Sequence, residues 1–532
     1  MVYNMRYKMH KMNKRAKNLF FASAEKPKNS GGNMKLTARI LCVLLVCCFL
    51  FVACDQAPAT NPGTNAATGT QAGTVATTEE PTEEGNFVPV EGLGFGGEDF
   101  VILVPVSAPG GWAQFFDFTA TELNEDPVND ANYERLQKMK ELYNVNIYSV
   151  ETPSKNMATD VTNAHNAGNN PYGLVHIELT VVPALAQKGY FVDLNTIESM
   201  DLTNPWYTQS AVKQLSIANK LYYTLGDFST VDNDGIAAMC FNKEMIEEGQ
   251  LTSPYEYIDN NEWTIDNFYA LCKGFSKDLN GDGKLDIVND RYGYSAAKTS
   301  MPGQLTSAGV QIVTKDDKDY PILSLNSTRN ASAVEKVLEM YADDTTMCLV
   351  ENMSGMPNGI SRWQYGNNMF MEGRLMFRQT TMSRIIQCRQ SELEFGIIPY
   401  PKLDADQENY AHTFSLATPF ICILNTAEDP EANGAVVEAL SYYRRTVVRP
   451  AYYERVLKGL VARDEESEFC LDIIFDSSDY DLGIVLSLGD FINVYANIIK
   501  SGTNTFSSEY DRISGGMETT LQEYIDAYES IL

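Results

Sequence analysis

Apolar and polar positions fall in blocks along the chain, and the period changes from block to block. Residues 99–106 are an almost unbroken apolar run of strand length, which predicts a strand buried on both faces. Tyr133, Leu136, Met139 and Leu142 recur three residues apart within 130–143 and mark one face of a helix. A strand over 145–150, a helix over 156–167 and a short strand over 174–177 follow. A brief helix over 182–188 stops at Gly189, and 190–194 extends beyond it. This β-α-β-α-β order predicts an α/β fold with a parallel sheet.

Farther on, 221–225 and 236–241 read as strands. Asn242 is placed to cap a helix over 243–248, which Gly249 ends. A helix over 264–275 starts at Thr264 or Asp266. Helices are also predicted over 329–342, 361–371, 430–443, 451–458, 464–474, 488–500 and 507–530, and strands over 322–325, 374–377, 395–398 and 414–423. No internal repeat is present. The helical last third is expected to cover a sheet rather than build a new domain.

The front of the chain has a different character. Residues 41–54, LCVLLVCCFLFVAC, are a short apolar run preceded by Lys35 and Arg39 and ending in small residues. That is the layout of a secretory signal, and the run is short of the roughly 20 apolar residues of a spanning helix. Its end, Phe51-Val52-Ala53-Cys54, resembles the lipobox of bacterial lipoproteins, with Phe51 where Leu is usual. The resemblance implies that 34–53 is removed and that Cys54 is acylated; an uncleaved membrane anchor is the alternative. Either places the rest of the chain outside the cytoplasmic membrane. Residues 1–33 are basic and end in Ser30-Gly31-Gly32-Asn33, whose codons can spell a ribosome-binding site, so translation is expected to start at Met34. Residues 54–91, rich in Thr, Ala, Gly, Pro and Glu, cannot bury a core and form a disordered linker. About 440 residues remain, enough for two domains by the usual size prior.

Formal net charge is −29, and 1–53 hold ten of the 41 basic residues but one of the 70 acidic ones. Such a surface repels nucleic acid and anionic lipid and favours neutral or cationic ligands, or serves solubility alone. Six cysteines follow Cys54, scattered and mostly in apolar surroundings, as expected for buried free thiols. His165, His176 and His412 are isolated and read as core or surface residues rather than metal ligands.

One loop carries a specific pattern. Asp278, Asn280, Asp282, Lys284 and Asp286, with Gly283 at the turn, form D-x-N-x-D-G-x-x-D. Alternate oxygens at this spacing suit Ca²⁺, with Lys284 giving its backbone carbonyl. The closing position is Asn289 rather than Glu; Asp290 or a distant acid could substitute. A solvated turn is the bland alternative. A bound Ca²⁺ here would be structural.

Several segments, in order, resemble the bacterial extracellular solute-binding proteins of family 1, the lipoprotein receptors of sugar-importing ABC transporters. They include 189–194 (GYFVDL), Trp206-Tyr207, Gly226-Asp227, Phe241-Asn242-Lys243, Arg291-Tyr292-Gly293 after the acidic loop, 370–374 (FMEGR) and 395–402 (FGIIPYPK). Tyr452-Tyr453 with 463–466 (RDEE) resembles a Gram-positive oligosaccharide-binding subgroup. The resemblance implies a two-lobed, type II periplasmic-binding-protein-like fold. Lobe one would span 95–236 and 420–462, and lobe two 242–412 and 466–532. Residues 236–241 and 413–419 would be hinge crossings, with ligand in the interlobe cleft. It further implies a monomer that hands its ligand to ABC permease subunits at the extracellular face of the cell membrane.

Sugars present flat apolar faces rimmed by hydroxyls, which aromatics and polar side chains match. On that ground, and because the resemblance implies that they lie at the cleft, Trp112, Asp227, Trp363, Tyr365 and Arg378 are the ligand candidates, while Trp206 and Trp263 read as packing residues. Asp464-Glu465-Glu466 sits at a helix N-terminus, where acids serve the dipole. No G-x-S-x-G, H-E-x-x-H or phosphate loop occurs. No catalysis is expected; a glycan-binding sensor or adhesin, or a secreted glycosidase, are the rival readings.

Overall fold

The computed structural model describes residues 85–106, 117–168, 170–297, 300–353, 356, 359–415, 417–453, 464–501 and 503–531. The signal segment, Cys54, most of the linker and Trp112 lie outside the described residues. No helix among the described residues is long and apolar enough to cross a membrane.

Strands β1 (Asp99–Pro105), β2 (Asn146–Thr152) and β3 (Leu174–Glu178) come first. The chain then enters β4 (Ala237–Asn242) and β5 (Tyr292–Ala296). A small hairpin, β6 (Val313–Lys315) and β7 (Pro321–Leu323), precedes β8 (Met347–Leu349), β9 (Leu375–Thr381) and β10 (Phe395–Ile398). It returns in β11 (Pro419–Cys422). The two main sheets are ordered β11-β3-β1-β2 and β10-β4-β9-β5-β8, one per lobe.

In the first sheet β1 runs parallel to β2 and β3, as the alternating pattern predicts. Parallel neighbours need long crossovers, which the helices Pro127–Tyr143 and Ser154–Ala167 provide. The first of these starts three residues before the predicted 130. Asp126 decides the start: its carboxylate accepts from the N–H groups of Val128 and Asn129 at 3.0 and 2.9 Å, with Pro127 at the first helical position. The edge strand β11 is antiparallel to β3, because it is the chain coming back from the other lobe.

The lobes are joined where Ile236 pairs with Phe414. Ala237 N donates to Thr413 O at 2.9 Å and Ser415 N to Gly235 O at 2.8 Å. Beside this two-stranded connection one apolar cluster runs through Ala238, Cys240, Met382 and Ile397 to Leu471 and Ile474, and across to Val128, Ala131, Val448 and Ala451. The last helix, Phe506–Ser530, also reaches the first lobe: Tyr528 meets Tyr222 edge-on at 4.7 Å, and Lys220 Nζ donates to Tyr528 O at 2.7 Å.

Asn242 and Asp464 cap their helices, accepting from Met245 N at 3.1 Å and Ser467 N at 2.5 Å. Helix Pro430–Tyr443 continues into a π-helical turn at Arg444–Val448, and the continuation predicted over 451–458 leaves the described residues after 453. The six cysteines after Cys54 are free and buried. Strands β5, β6 and β8 and helices Met301–Ser307 and Met382–Cys388 are absent from the sequence reading.

Candidate functional site

A cavity of about 380 Å³ lies against the crossing segments, within the usual range for small-molecule sites. Its floor is Ala237 of β4 and Thr413, Phe414 and Ser415 of the return passage. Four consecutive residues at the end of β9, Arg378 to Thr381, form one wall; Trp363, Arg384, Tyr400 and the start of helix Met301–Ser307 complete it. A larger groove of about 540 Å³ is lined by Leu123, Asp130, Tyr133, Glu134, Gln137 and Val447, and none of the crossing residues 237 and 413–415 lines it.

Gln379 and Tyr400 are held from behind. Gln379 Oε1 accepts from the hydroxyls of Tyr294 and Tyr341, and its Nε2 donates to Ser300 O at 3.0 Å. His412 Nε2 accepts from Tyr400 N at 3.0 Å while Nδ1 lies 2.7 Å from Ser477 Oγ. That pair of contacts requires a neutral ring with the proton on Nδ1, and burial pushes its pKa down to about 3. Gly303 cannot carry a side chain without moving Thr413, since a Cβ there would stand 2.5 Å from Thr413 Cγ2.

Trp363 and Arg378 are brought together at the cavity. Trp363 sits in the first turn of helix Arg362–Met371, which Ser361 caps, and is 44% exposed, whereas Trp206 and Trp263 are fully buried. Arg378 lines the cavity but is 2% exposed, its guanidinium packed beneath the surface against Ser295 and Gly366. Tyr365 points the other way into the core, against the Arg374 guanidinium. Asp227 is also away from the cavity. Arg444 Nη1 meets its Oδ1 at 2.8 Å, and Arg445 and Arg449 meet its Oδ2 at 2.8 and 3.3 Å. Burial alone would raise its pKa, but Arg449, Arg444 and Arg445 outweigh burial and hold it below the ordinary value.

Arg384, Gln379, Tyr400, Thr413 and Ser415 were not singled out from sequence. Thr413 and Ser415 carried one signal, their place in the predicted hinge. The others lie on β9 or beyond, past the point where the apolar pattern at Phe377 stops.

In the acidic loop, Gly281 and Gly283 adopt φ of 77° and 79°. The side chains fold onto the loop's own N–H groups: Asp278 accepts from Gly281 N at 2.6 Å and Gly283 N at 2.7 Å, Asn280 from Asp282 N at 2.9 Å, Asp282 from Lys284 N at 2.9 Å. Asp290, fully buried, binds Leu279 N and Asp286 N at 2.8 and 2.7 Å and so ties the loop's two ends. The all-oxygen donor set fits a hard cation. The oxygens do not yet converge: among the described residues no group of three or more acidic, His or Cys side chains is arranged to hold a metal.

Comparison with known proteins agrees with this architecture. The model of the bacterial extracellular solute-binding protein family matches residues 134–438, more than half of the chain. The chain belongs to that family, whose members bind solutes and are not enzymes. No curated protein sequence matches it. Among solved structures it resembles a cyclo/maltodextrin-binding protein complexed with maltotetraose (TM-score 0.52, 12% identity, 80% of this chain and 97% of that one). It also resembles the cyclic α-maltosyl-1,6-maltose binding protein of Arthrobacter globiformis (TM-score 0.51, 13% identity, 81% and 98%). An ABC substrate-binding protein of Listeria monocytogenes in complex with cycloalternan is similar too (TM-score 0.50, 12% identity, 79% and 99%). At these identities the likeness is one of fold.

Proposed function

We propose that this chain captures an oligosaccharide in the cavity at the lobe crossing and delivers it to the permease of an ABC importer. The observation that carries the reading is the pairing of one exposed indole, Trp363, with hydrogen-bonding side chains around a 380 Å³ cavity on the hinge. An indole covers a sugar face; Gln379, Tyr400, Thr413 and Ser415 suit its hydroxyls. The three structural neighbours above are named for glucan oligosaccharides or complexed with them, which supports the carbohydrate class. A thermal-shift screen over oligosaccharides, peptides and polyamines tests it, because a ligand of the folded state raises Tm by mass action. A shift with oligosaccharides is expected; a shift confined to peptides or polyamines would overturn the assignment.

In this reading the protein works as a monomer, tethered at the extracellular face of the cell membrane through acylated Cys54. The 54–91 linker lets it reorient toward the permease. Asp278, Asn280, Asp282 and Asp286, with the Lys284 carbonyl, would take a structural Ca²⁺ by swinging off the loop N–H groups they now bind. The glycines already at positive φ support this.

A further inference from the structure

The charge of the sugar can be taken further. The chain has 70 acidic and 41 basic residues, yet the described lining of the cavity contains two arginines and no acidic residue. Neither Arg378 nor Arg384 has a carboxylate within ion-pairing distance among the described residues. The contrast is with Arg444, Arg445 and Arg449, all of which pair with Asp227.

Arg378 Nη1 reaches only Ser295, at 3.2 Å to Oγ and 3.5 Å to the carbonyl, and its buried Nε has no partner. The groups facing it are Cys240, Cys348, Cys388 and Tyr294. Burial raises the pKa of each, so none offers a negative charge near neutral pH. Arg384 Nη1 is held by two amide oxygens, of Gln364 at 2.5 Å and Gln387 at 3.0 Å. Helix Arg362–Met371 makes room for the first guanidinium by having Gly366 there, where a Cβ would stand 3.0 Å from Arg378 Cζ. A buried cation without a counter-charge is costly, and an incoming anion supplies the missing partner.

We propose that the cavity selects an anionic oligosaccharide, whose carboxylate or sulfate group is held by Arg378 and Arg384 while Trp363 covers a sugar ring. The inference rests on reading this cavity as the carbohydrate site. It runs against the expectation from net charge, which describes the whole surface rather than this wall. A planar guanidinium fork matches a carboxylate, and two forks side by side also suit a sulfate.

Calorimetric titration of the intact protein with trigalacturonate, a sulfated carrageenan tetrasaccharide and uncharged maltotriose tests it. At least one anionic probe is expected to bind about tenfold or more tighter than maltotriose, and more weakly as salt rises. Arg384→Gln, at a half-buried position, is expected to remain folded and lose that preference; Arg378→Gln should do the same if circular dichroism shows it folded. Maltotriose binding as well as or better than both anionic probes overturns the anionic inference and leaves the carbohydrate reading intact. Silence from all three sugars also overturns the inference. Tm shifts from a peptide or spermidine alone overturn the carbohydrate reading with it.

Discussion

Asp227 Oδ1 and Arg444 Nη1 stand 2.8 Å apart, with the Arg444 side chain fully out of solvent and the Asp227 side chain 10% exposed. Arg444 lies in the π-helical turn that follows helix Pro430–Tyr443, so the ion pair joins that turn to the segment leading into β4. Removing one partner leaves a buried charge alone, which costs about 3–5 kcal/mol. Asp227→Ala should lower stability by that order in urea unfolding. A loss below about 1 kcal/mol together with weakened ligand binding would instead make Asp227 a ligand group.

Acidity should stabilise the fold over a defined window. Burial pushes Asp234, Glu438 and Asp481 each up to about 7. Their unfolded values lie near 4, so the native state holds protons that the unfolded state has released. Their contribution is therefore complete below about pH 4 and is lost as pH rises through about 7. His412 acts oppositely: neutral in the fold, it destabilises once pH falls below its unfolded value of about 6.5. Between pH 8 and 6.5 the acids dominate, and Tm should rise as pH falls. A Tm that falls over that interval would contradict these burials.

Trp363 should report ligand. It is the one exposed indole among the described residues, so binding should shift its emission, and Trp363→Phe should remove most of that change. Trp363→Ala should weaken oligosaccharide binding roughly tenfold, about 1.4 kcal/mol, with little change in Tm of the free protein. Unchanged affinity in the alanine variant would remove the stacking role.

Calcium should raise stability. In 1 mM CaCl₂ the Tm should exceed that in EDTA by several degrees, following the mass-action gain of a native-state ligand. Asp278→Ala loses its own loop hydrogen bonds and will be less stable in either buffer, so the readout is the calcium increment, which should vanish. Equal Tm values for the wild type with and without calcium would dismiss the site.

The sequence carried the helices with one apolar face and the strands with a continuous apolar run, β3, β4 and β10 among them. Asn242, Ser361 and Asp464 announce helices because a cap is local chemistry. The crossings fell within strand-like runs at 236–241 and 414–423, and their hinge role was implied by the family resemblance. Two buried elements without an apolar run were missed: β5 is Tyr-Gly-Tyr-Ser-Ala with all five residues inside, and Met301–Ser307 buries Thr306 and Ser307 as deeply as Leu305, so neither shows a period. At the end of β9 only Arg378 was singled out, because the apolar pattern stops at Phe377 and the residues after it are polar. The role of Asp227 was hidden for another reason. Its partners lie more than two hundred residues away, and only the fold brings three arginines to one carboxylate.

The central claim is that ligand binds on the hinge wall formed by Trp363 and the end of β9. The most direct measurement is the Tm of the wild type and of a Trp363→Ala/Arg384→Gln double variant across an oligosaccharide panel containing neutral and anionic members. The account predicts a sugar-dependent rise in the wild type and none in the double variant, with similar Tm for the two ligand-free proteins. An equal rise in both proteins would place the ligand elsewhere and contradict it.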